Sequence, residues 1–395
     1  MKIIKTLLWV LLIVLAGCTK PSTTPSTPIV PIPPVIPPVV THTDSAKLIL
    51  VSTKLYNGSG YTSYLSAYDL SRNLKWERSD LSFLTTFFVK PGYSGDALTA
   101  GTFNNITSLN PVTGTSNWSY SIPGTYFSNA HFSTDTVLMA NESNNSINLL
   151  SKTNGTLIWT KTVTDQPFLT PVTSGNTIFC PTVNSTATAS YLKAYDLTTK
   201  NLLWQTPISN LYLTTNILIK QDSIYFGIGS AQLFCISITT GSIYWSKTDA
   251  NGKFYYYNGG IFLVDGSFGY IAAINIRTGA TLWQTNVPLL NNIDLIYFYN
   301  GNVYCQPIPQ ITCVSTTTGA IQWSKNIGYN NFQKLTVVGN SLFAYNGKLQ
   351  LGPYNIPQSR IMIMNASDFT AKDSIILQER DYLDMSATSV DGLIY

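Results

Sequence analysis

The side chains that most often carry catalysis are few and widely spaced in this chain of 395 residues. Five cysteines and two histidines occur, without the Cys-x-x-Cys or Cys/His spacing typical of a zinc or haem site. Neither a Gly-x-Ser-x-Gly nucleophile elbow nor a phosphate-binding glycine-rich loop is found. We interpret His131 as a strand or loop residue rather than a general base. The sequence therefore predicts no catalytic, cofactor-binding or metal-binding residue, and we expect that the protein is not an enzyme.

Two aromatic segments with a common pattern are the candidate for ligand binding. Tyr-Tyr-Tyr-Asn-Gly at residues 255–259 matches Tyr-Phe-Tyr-Asn-Gly at residues 297–301, and each segment ends in an Asn-Gly hairpin turn. One interpretation is an aromatic wall that binds a sugar or a peptide segment. The other is packing between neighbouring elements of the core. The residues concerned are Tyr255, Tyr257, Tyr297 and Tyr299.

A repeat of roughly 40 residues supplies the elements that position these side chains. One copy reads Ala-Ile-Asn-Ile-Arg-Thr-Gly-Ala-Thr-Leu-Trp at residues 273–283. Its Gly suits a tight turn with positive φ, its Asn, Asp or Ser can accept turn amides, and its Trp offers a broad apolar surface to a neighbouring sheet. An eighth copy lacks the tryptophan. The other seven copies keep it: Trp76, Trp118, Trp159, Trp204, Trp245, Trp283 and Trp323. The pattern predicts an all-β protein, an eight-bladed β-propeller of four-stranded antiparallel blades formed by residues 47–395 as a single domain.

The repeat phrase resembles that of the pyrroloquinoline-quinone-type β-propellers, over essentially all of residues 47–395. That family includes quinoprotein alcohol dehydrogenases and a BamB-like branch of non-catalytic envelope lipoproteins. The dehydrogenases hold their quinone under adjacent cysteines beside a metal held by carboxylates, and this chain has no adjacent cysteine pair. The resemblance therefore favours the non-catalytic branch, because one fold serves enzymes and scaffolds alike.

Ring closure and the cysteines give two further expectations. Residues 47–51 look like the second strand of a blade, and residues 386–395 look like a first strand. We therefore expect the C-terminus to supply the innermost strand of the first blade, so that no edge is left unpaired. Cys305 and Cys313 lie on one predicted hairpin, and either a disulfide or two buried free thiols fits that placement.

The N-terminal segment predicts export and a lipid anchor. Lys2 and Lys5 precede a short apolar run that ends in Leu-Ala-Gly-Cys at residues 15–18, which resembles the bacterial lipoprotein processing box. Residues 1–17 are then a signal peptide, and Cys18 is the acylated residue, whose two or more chains suffice for stable attachment. Thr19 is not the Asp that retains some lipoproteins in the inner membrane, so the outer membrane is favoured.

Residues 18–46 form the predicted tether between the lipidated cysteine and the propeller. Eight of the 20 prolines lie between Pro21 and Pro38, and such density favours semi-rigid polyproline II. The chain has only 11% charged residues and a formal net charge of +4 without a basic run, so no nucleic-acid partner is expected.

These observations indicate a lipid-anchored, monomeric propeller of the bacterial cell envelope. The first functional hypothesis is a non-catalytic scaffold that binds or assembles envelope proteins. The alternative is a surface module that binds extracellular glycan or another ligand through its aromatic residues. A quinone-dependent dehydrogenase ranks third.

Overall fold

The computed structural model describes residues 46–389 of the chain, all within one compact unit, Pro38–Tyr395. Within that range the described residues exclude 57, 60, 81–86, 89–97, 103–104, 111, 122–130, 133–134, 168–169, 187, 209–216, 229–231, 249–251, 266–267, 288–295, 306–309, 327–331, 347–348, 352–353, 357–358 and 378–380. Every regular element in this part of the chain is a β-strand. No helix with the length and apolarity needed to cross a bilayer occurs among these residues.

The strands of the first four sheets follow the repeat. Sheet 1 contains β1 (Ala46–Tyr56), β2 (Tyr61–Asp69), β3 (Leu74–Arg78) and β35 (Asp381–Ser389). Sheet 2 contains β4 (Phe87–Phe88), β5 (Leu98–Thr102), β6 (Asn105–Leu109) and β7 (Ser116–Ser121). Sheet 3 contains β8 (His131–Phe132), β9 (Thr136–Asn141), β10 (Ser146–Ser151) and β11 (Leu157–Thr162). Sheet 4 contains β12 (Gln166–Pro167), β13 (Val172–Ser174), β14 (Thr177–Val183), β15 (Ser190–Asp196) and β16 (Leu202–Ile208).

The remaining strands complete four more sheets and one small hairpin. Sheet 5 contains β17 (Leu218–Lys220), β18 (Ser223–Ile228), β19 (Gln232–Ser237) and β20 (Ile243–Lys247). Sheet 6 contains β21 (Lys253–Tyr257), β22 (Gly260–Asp265), β23 (Tyr270–Ile274) and β24 (Thr281–Asn286). Sheet 7 contains β25 (Ile296–Tyr299), β26 (Asn302–Cys305), β27 (Gln310–Ser315) and β28 (Ile321–Asn326). Sheet 8 contains β29 (Phe332–Val338), β30 (Ser341–Asn346), β33 (Ser359–Asn365) and β34 (Ala371–Leu377), and β31 (Leu349–Leu351) pairs with β32 (Tyr354–Ile356) in the hairpin.

The described strands therefore form eight sheets of four or five strands and one two-stranded hairpin, and their pairing is antiparallel throughout, as the repeat predicts. Sheet 4 departs from four strands because both β12 and β13 pair with β14. Pro167 and Pro171 flank the break between them, and a proline cannot donate an amide to a strand ladder. This interruption of one first strand was not predicted.

The predicted pairing of the C-terminal segment with the first blade is confirmed, but the strand spans Asp381–Ser389 and not the expected residues 386–395, of which 390–395 lie outside the described residues. The C-terminal strand β35 pairs antiparallel with β1, and the order within sheet 1 is β3-β2-β1-β35. The first and last described strands thus lie side by side in one sheet, and neither is left as an unpaired terminal strand. Because hydrogen bonds join the first and last described strands, sheet 1 is complete only when the C-terminal strand is in place.

The middle strands are buried on both faces because each sheet lies between two neighbours. In β22, residues Ile261–Asp265 are buried in succession, whereas β24 alternates between exposed and half-buried residues. One core cluster joins Tyr225 and Cys235 of sheet 5 to Ile261 and Leu263 of sheet 6. Continuous apolar runs are the pattern expected of strands covered on both faces.

The tryptophan of one sheet docks on the turn glycine of the next. A Cβ built on Gly241 would lie 2.5 Å from Cε3 of Trp204, so that no larger residue fits without displacing the indole. The indole Nε1 of Trp204 donates to the carbonyl oxygen of Ile238 at 3.2 Å. The same docking joins four further pairs: Trp76 with Gly114, Trp118 with Gly155, Trp245 with Gly279 and Trp283 with Gly319. These contacts confirm the predicted role of the tryptophan as the link between neighbouring sheets.

The turns themselves are capped as the sequence predicts. In the turn before β7, Asn110 Oδ1 accepts from the amides of Val112 at 2.8 Å and Thr113 at 3.1 Å. In sheet 4, the Asp196 carboxylate accepts from the Thr199 amide at 2.6 Å. That backbone hydrogen bond is the main reason why the pKa of Asp196 is lowered.

At three joints, a residue other than glycine takes the turn position with positive φ: Lys200, Phe369 and Arg72. Lys200 has a φ of 62° and places its Nζ 5.8 Å from the ring centroid of Trp159. Phe369 has a φ of 61° and packs in the same core cluster as Trp323. Between sheets 8 and 1, Asp373 takes the place of the tryptophan, as its pairing with Ile363 shows.

The joint between sheets 8 and 1 is therefore polar at its rim. Arg72, with a φ of 73°, stands at the turn position and pairs with Asp373 at 3.3 Å between Nη1 and Oδ1. Behind this ion pair lies a core cluster that includes Ile49, Phe343 and Ile363. Ile363 stands where the other sheets have the small residue that makes room for the tryptophan ring. Apolar packing by its larger side chain compensates for the missing indole.

A β-bulge recurs in the outermost strand of all eight sheets. In sheet 5, Cys235 pairs with Trp245 and Ile236 pairs with Ile243, which leaves Tyr244 as the extra residue. The extra residue precedes the tryptophan, or Asp373, in the same way in every sheet. Bulges of this kind bend an exposed edge and hinder pairing with another strand.

Candidate functional site: the aromatic cluster of sheets 6 to 8

The predicted aromatic residues lie on first strands of neighbouring sheets. Tyr255 and Tyr257 belong to β21, at the end of sheet 6 opposite the tryptophan strand. Tyr297 and Tyr299 belong to β25, at the same end of sheet 7. Alternation along a strand puts residues two apart on one face, so each pair of tyrosines faces the following sheet.

The sheet 6 tyrosines meet Phe298 of sheet 7. The Tyr257 ring stacks on Phe298 with centroids 5.1 Å apart, and the Tyr255 ring is tilted against it at 5.7 Å. The backbone amide of Gly301 donates to the Tyr257 hydroxyl at 3.0 Å. The structure thus brings both tyrosines into the joint between sheets 6 and 7, and both remain half-buried.

Tyr297 lies deepest in the cluster. It is 7% exposed and stacks on Tyr304 with centroids 4.7 Å apart and planes 2° apart. Its hydroxyl donates to the carbonyl oxygen of Ala366 in sheet 8 at 3.0 Å. Burial raises the pKa of this hydroxyl well above that of a free tyrosine. Tyr299, which is half-buried, donates its hydroxyl to Asn340 Oδ1.

These contacts show how the four tyrosines pack between sheets, and their role in ligand binding stays a prediction. Among the tyrosines of β21, the ring that faces solvent belongs to Tyr256, which was not among the predicted ligand-binding residues. Tyr256 is 37% exposed, and Lys220 Nζ lies 4.3 Å from its ring centroid. The alternating strand pattern around residue 256 carries that signal, because residues next to one another face opposite sides.

The four described cysteines are free and buried. Cys305 pairs with Thr312 in the strand register, and Cys313 pairs with Tyr304. Because directly paired residues share a face and adjacent residues do not, the two cysteines lie on opposite faces of sheet 7. A disulfide between them is therefore excluded, and burial raises the pKa of the Cys305 thiol to about 12.

The other residues considered for chemistry have structural positions. His131 is buried in β8 and pairs with Leu138. Among the described residues, no group of three or more His, Cys, Asp or Glu side chains could hold a metal ion. The predicted lipidation site, Cys18, lies outside the described residues.

A buried ion pair near sheets 3 and 4 was not foreseen from the sequence. Lys193 is 5% exposed, and its Nζ lies 2.6 Å from Asp165 Oδ2. Lys193 stands opposite Cys180 in the strand register, and its Nζ is also 5.6 Å from the ring centroid of Tyr191. Asp165 is half-buried, and a buried lysine needs such a partner because an unpaired buried charge is strongly destabilising. No motif spacing marks the two residues, which are 28 positions apart.

Comparison with known proteins supplies the context for this geometry. The family model described as outer membrane protein assembly factor BamB matches residues 62–247 and 267–361, which is more than half of the chain. A curated relative, tetrathionate hydrolase of Acidithiobacillus ferrooxidans, is 25% identical over 226 residues, which cover 48% of this chain and 44% of the relative. The chain thus spans less than half the length of the curated relatives that it matches.

Solved structures share the fold at low identity. The crystal structure of BamB from Moraxella catarrhalis superposes with a TM-score of 0.57 at 11% identity, over 78% of this chain and 95% of that one. A europium-containing methanol dehydrogenase superposes with a TM-score of 0.51 at 10% identity, over 75% and 80% of the two chains. The likeness confirms the predicted β-propeller, and its members include a named assembly factor and a named enzyme.

Proposed function

The chain belongs to the family described as outer membrane protein assembly factor BamB, and from that premise we propose that it is a non-catalytic scaffold that binds or assembles envelope proteins. The observation that carries this proposal is where its reactive side chains lie. The thiols of Cys180, Cys235, Cys305 and Cys313 are buried between strands, and the hydroxyl of Tyr297 bonds a neighbouring sheet. These groups lie in the core, which leaves the turns and outer strands to meet partners.

The residues present do not fit a quinone cofactor. The sequence has no two adjacent cysteines, and Cys305 and Cys313, which are closest in sequence, lie on opposite faces of their sheet. We derive no catalytic step through such a group. A dye-reduction assay with added quinone and calcium tests this directly, and cofactor-dependent reduction would contradict the scaffold function.

The proposed anchor and location follow from the N-terminal segment. Residues 1–17 are removed as a signal peptide, Cys18 is acylated, and residues 18–46 connect it to the propeller of residues 47–395. Two or more acyl chains hold such a protein stably on a membrane, and the outer membrane is the proposed site. Labelling with a radioactive fatty acid tests the anchor, because incorporation should be lost in Cys18→Ser.

Co-purification from detergent-solubilised envelope tests the scaffold function. The expected result is one or more envelope proteins that stay bound in constant proportion through two purification steps. Retention on polysaccharide columns with no bound protein would instead support the second candidate, a glycan-binding module. The observation that favours this second candidate is the ring of Tyr256, which is 37% exposed.

A further inference from the structure

An apolar arc runs along the outermost strands of four consecutive sheets. We define it as the exposed large residues of β11, β16, β20 and β24, in sheets 3 to 6. Each of these side chains is between 43% and 56% exposed: Leu157, Ile158, Leu202, Leu203, Ile243, Tyr244 and Leu282. Single exposed apolar side chains are ordinary, but these seven recur on the same strand of four consecutive sheets.

The fold does not require apolar residues at these places. Ile158, Leu203, Tyr244 and Leu282 are the bulge residues of sheets 3 to 6. At the same bulge, the other four sheets carry polar residues: Lys75, Asn117, Gln322 and Lys372. At the bulge, half of the ring is therefore apolar and half polar, whereas at other positions the outer strands of sheets 1, 7 and 8 also expose one apolar residue each: Leu74, Ile321 and Ile376.

The apolar arc is also the more positively charged half of the rim. The turns and outer strands of sheets 3 to 6, residues 151–162, 196–208, 237–247 and 275–286, contain five cations and one carboxylate: Lys152, Lys161, Lys200, Lys247, Arg277 and Asp196. The corresponding segments of the other sheets, residues 69–78, 110–121, 315–326 and 365–377, contain five cations and four carboxylates. The net charges are thus +4 and +1, so the arc attracts an acidic partner.

Geometry restricts the shape of that partner. Successive sheets of a propeller are turned about a common axis, so an arc across four sheets is convex. A flat bilayer, or the convex rim of a second copy, reaches only one or two sheets at a time. The bulge in each outer strand also hinders the addition of a regular partner strand. An extended segment that bends from sheet to sheet can follow the convex arc across all four sheets, and it does so without regular pairing to the bulged outer strands.

We propose that the apolar arc binds an extended segment of an envelope protein in which apolar residues alternate with Asp or Glu. The proposal rests on the scaffold function and names its partner surface. The partner's apolar side chains contact the seven exposed residues, and its carboxylates meet the lysines and arginine beside them. Association is then weakened by salt, because exposed ion pairs are screened.

Photo-crosslinking locates the partner on the rim. Benzoylphenylalanine is placed at position 203 or 244 of the full chain, and at position 75 or 372 as the matched bulge position on the polar half. Crosslinks from 203 and 244 should be about tenfold more abundant than from 75 and 372. The crosslinked peptides, sequenced by mass spectrometry, should be acidic and apolar segments of one protein.

Glutamate substitution at the same positions gives the second measurement. Leu203→Glu with Tyr244→Glu should lower the amount of co-purified partner about tenfold, whereas Lys75→Glu with Lys372→Glu should change it less than about twofold. Unchanged melting temperatures show that both variants fold. If the partner still co-purifies with the arc variant, the arc proposal is wrong and the scaffold function stands. If the wild-type chain retains no partner, the scaffold function itself is wrong.

Two other occupants are distinguished by the same proteins. Crosslinks from 203 and 244 to a second copy of the chain would overturn the proposal. The proposal would also be overturned if Cys18→Ser floats with phosphatidylglycerol vesicles and this flotation is lost when the arc substitutions are added. That result would identify lipid as the ligand.

Discussion

At the scale of single residues, neighbouring tyrosines of β21 have different surroundings: the ring of Tyr257 stacks on Phe298 of sheet 7, whereas that of Tyr256 lies beside Lys220 of sheet 5. The repeat assigns the turn glycines, the Asx and Ser caps and the tryptophans correctly, because each role depends on a few neighbouring residues. The tyrosines are different. Tyr255, Tyr256 and Tyr257 are consecutive, and only the pairing with the adjacent strand determines which ring faces a neighbouring sheet and which faces solvent.

The buried thiols lead to a prediction about reactivity. In Cys18→Ser, which leaves Cys180, Cys235, Cys305 and Cys313, native protein should react with Ellman's reagent at least about 100-fold more slowly than unfolded protein. Burial raises the pKa of all four thiols and blocks access. Absorbance at pH 8, with and without guanidinium chloride, measures both rates. Rapid reaction of even one thiol in the native protein would contradict the buried positions.

Tyr297 and Tyr256 form a matched pair for testing packing. Tyr297→Ala should lower the free energy of unfolding by about 3 to 5 kcal/mol, because it leaves a cavity and an unpaired carbonyl oxygen on Ala366. Tyr256→Ala should cost less than about 1 kcal/mol, because it removes only an exposed contact with Lys220. Urea denaturation compares them. Equal losses would place the two rings in similar environments.

At the scale of strands and turns, the sequence predicts the order of elements well and their irregularities poorly. Strand lengths and hairpins follow from apolar runs and turn residues. The bulge before each tryptophan is invisible in the sequence, because it exists only in the register between two strands. The split first strand of sheet 4 has a cause that is visible in the sequence: Pro167 and Pro171 cannot donate an amide to the strand ladder.

Two glycines with the same backbone angle separate docking from backbone strain. Gly301 and Gly319 both have a φ of 73°, but a Cβ on Gly319 would lie 2.6 Å from the Trp283 ring and a Cβ on Gly301 would meet nothing within 4 Å. Gly301→Ala should cost about 1 to 2 kcal/mol from positive φ alone. Gly319→Ala should cost about 1 to 3 kcal/mol more, because the indole must move.

Denaturation of both glycine variants in urea measures the difference. The Gly319→Ala variant should also show an altered tryptophan emission spectrum, since Trp283 is displaced from its site. An equal loss of stability in the two variants would mean that the indole does not depend on the glycine beside it.

At the scale of the whole molecule, the repeat predicts the propeller because it recurs along almost the entire chain. The closure by β35 is also predictable, since the chain begins with a second strand and ends with a first one. The polar joint between sheets 8 and 1 is not predictable in the same way. Arg72 and Asp373 are 301 residues apart, and neither resembles the residue that it replaces.

Truncation tests how far the domain depends on that closure. Removal of residues 381–395 deletes β35 and exposes the edge of β1, so the melting temperature should fall by at least about 10 °C, with aggregation. Removal of residues 390–395 leaves β35 intact and should change the melting temperature by less than about 2 °C. Circular dichroism and light scattering distinguish these outcomes. A stable, monomeric chain without β35 would show that closure is dispensable.

The ion pair between Arg72 and Asp373 also affects the number of sheets at which the ring closes. Tryptophan joints are much alike, so an indole from any one of them suits the turn of several others, and a ring built only from such joints could shut after too few or too many repeats. At the joint that closes the ring, Asp373 of the last sheet pairs with Arg72 of the first. Closure one sheet early leaves Asp373 without this counter-ion, so the exposed ion pair favours the full set of sheets by less than about 1 kcal/mol.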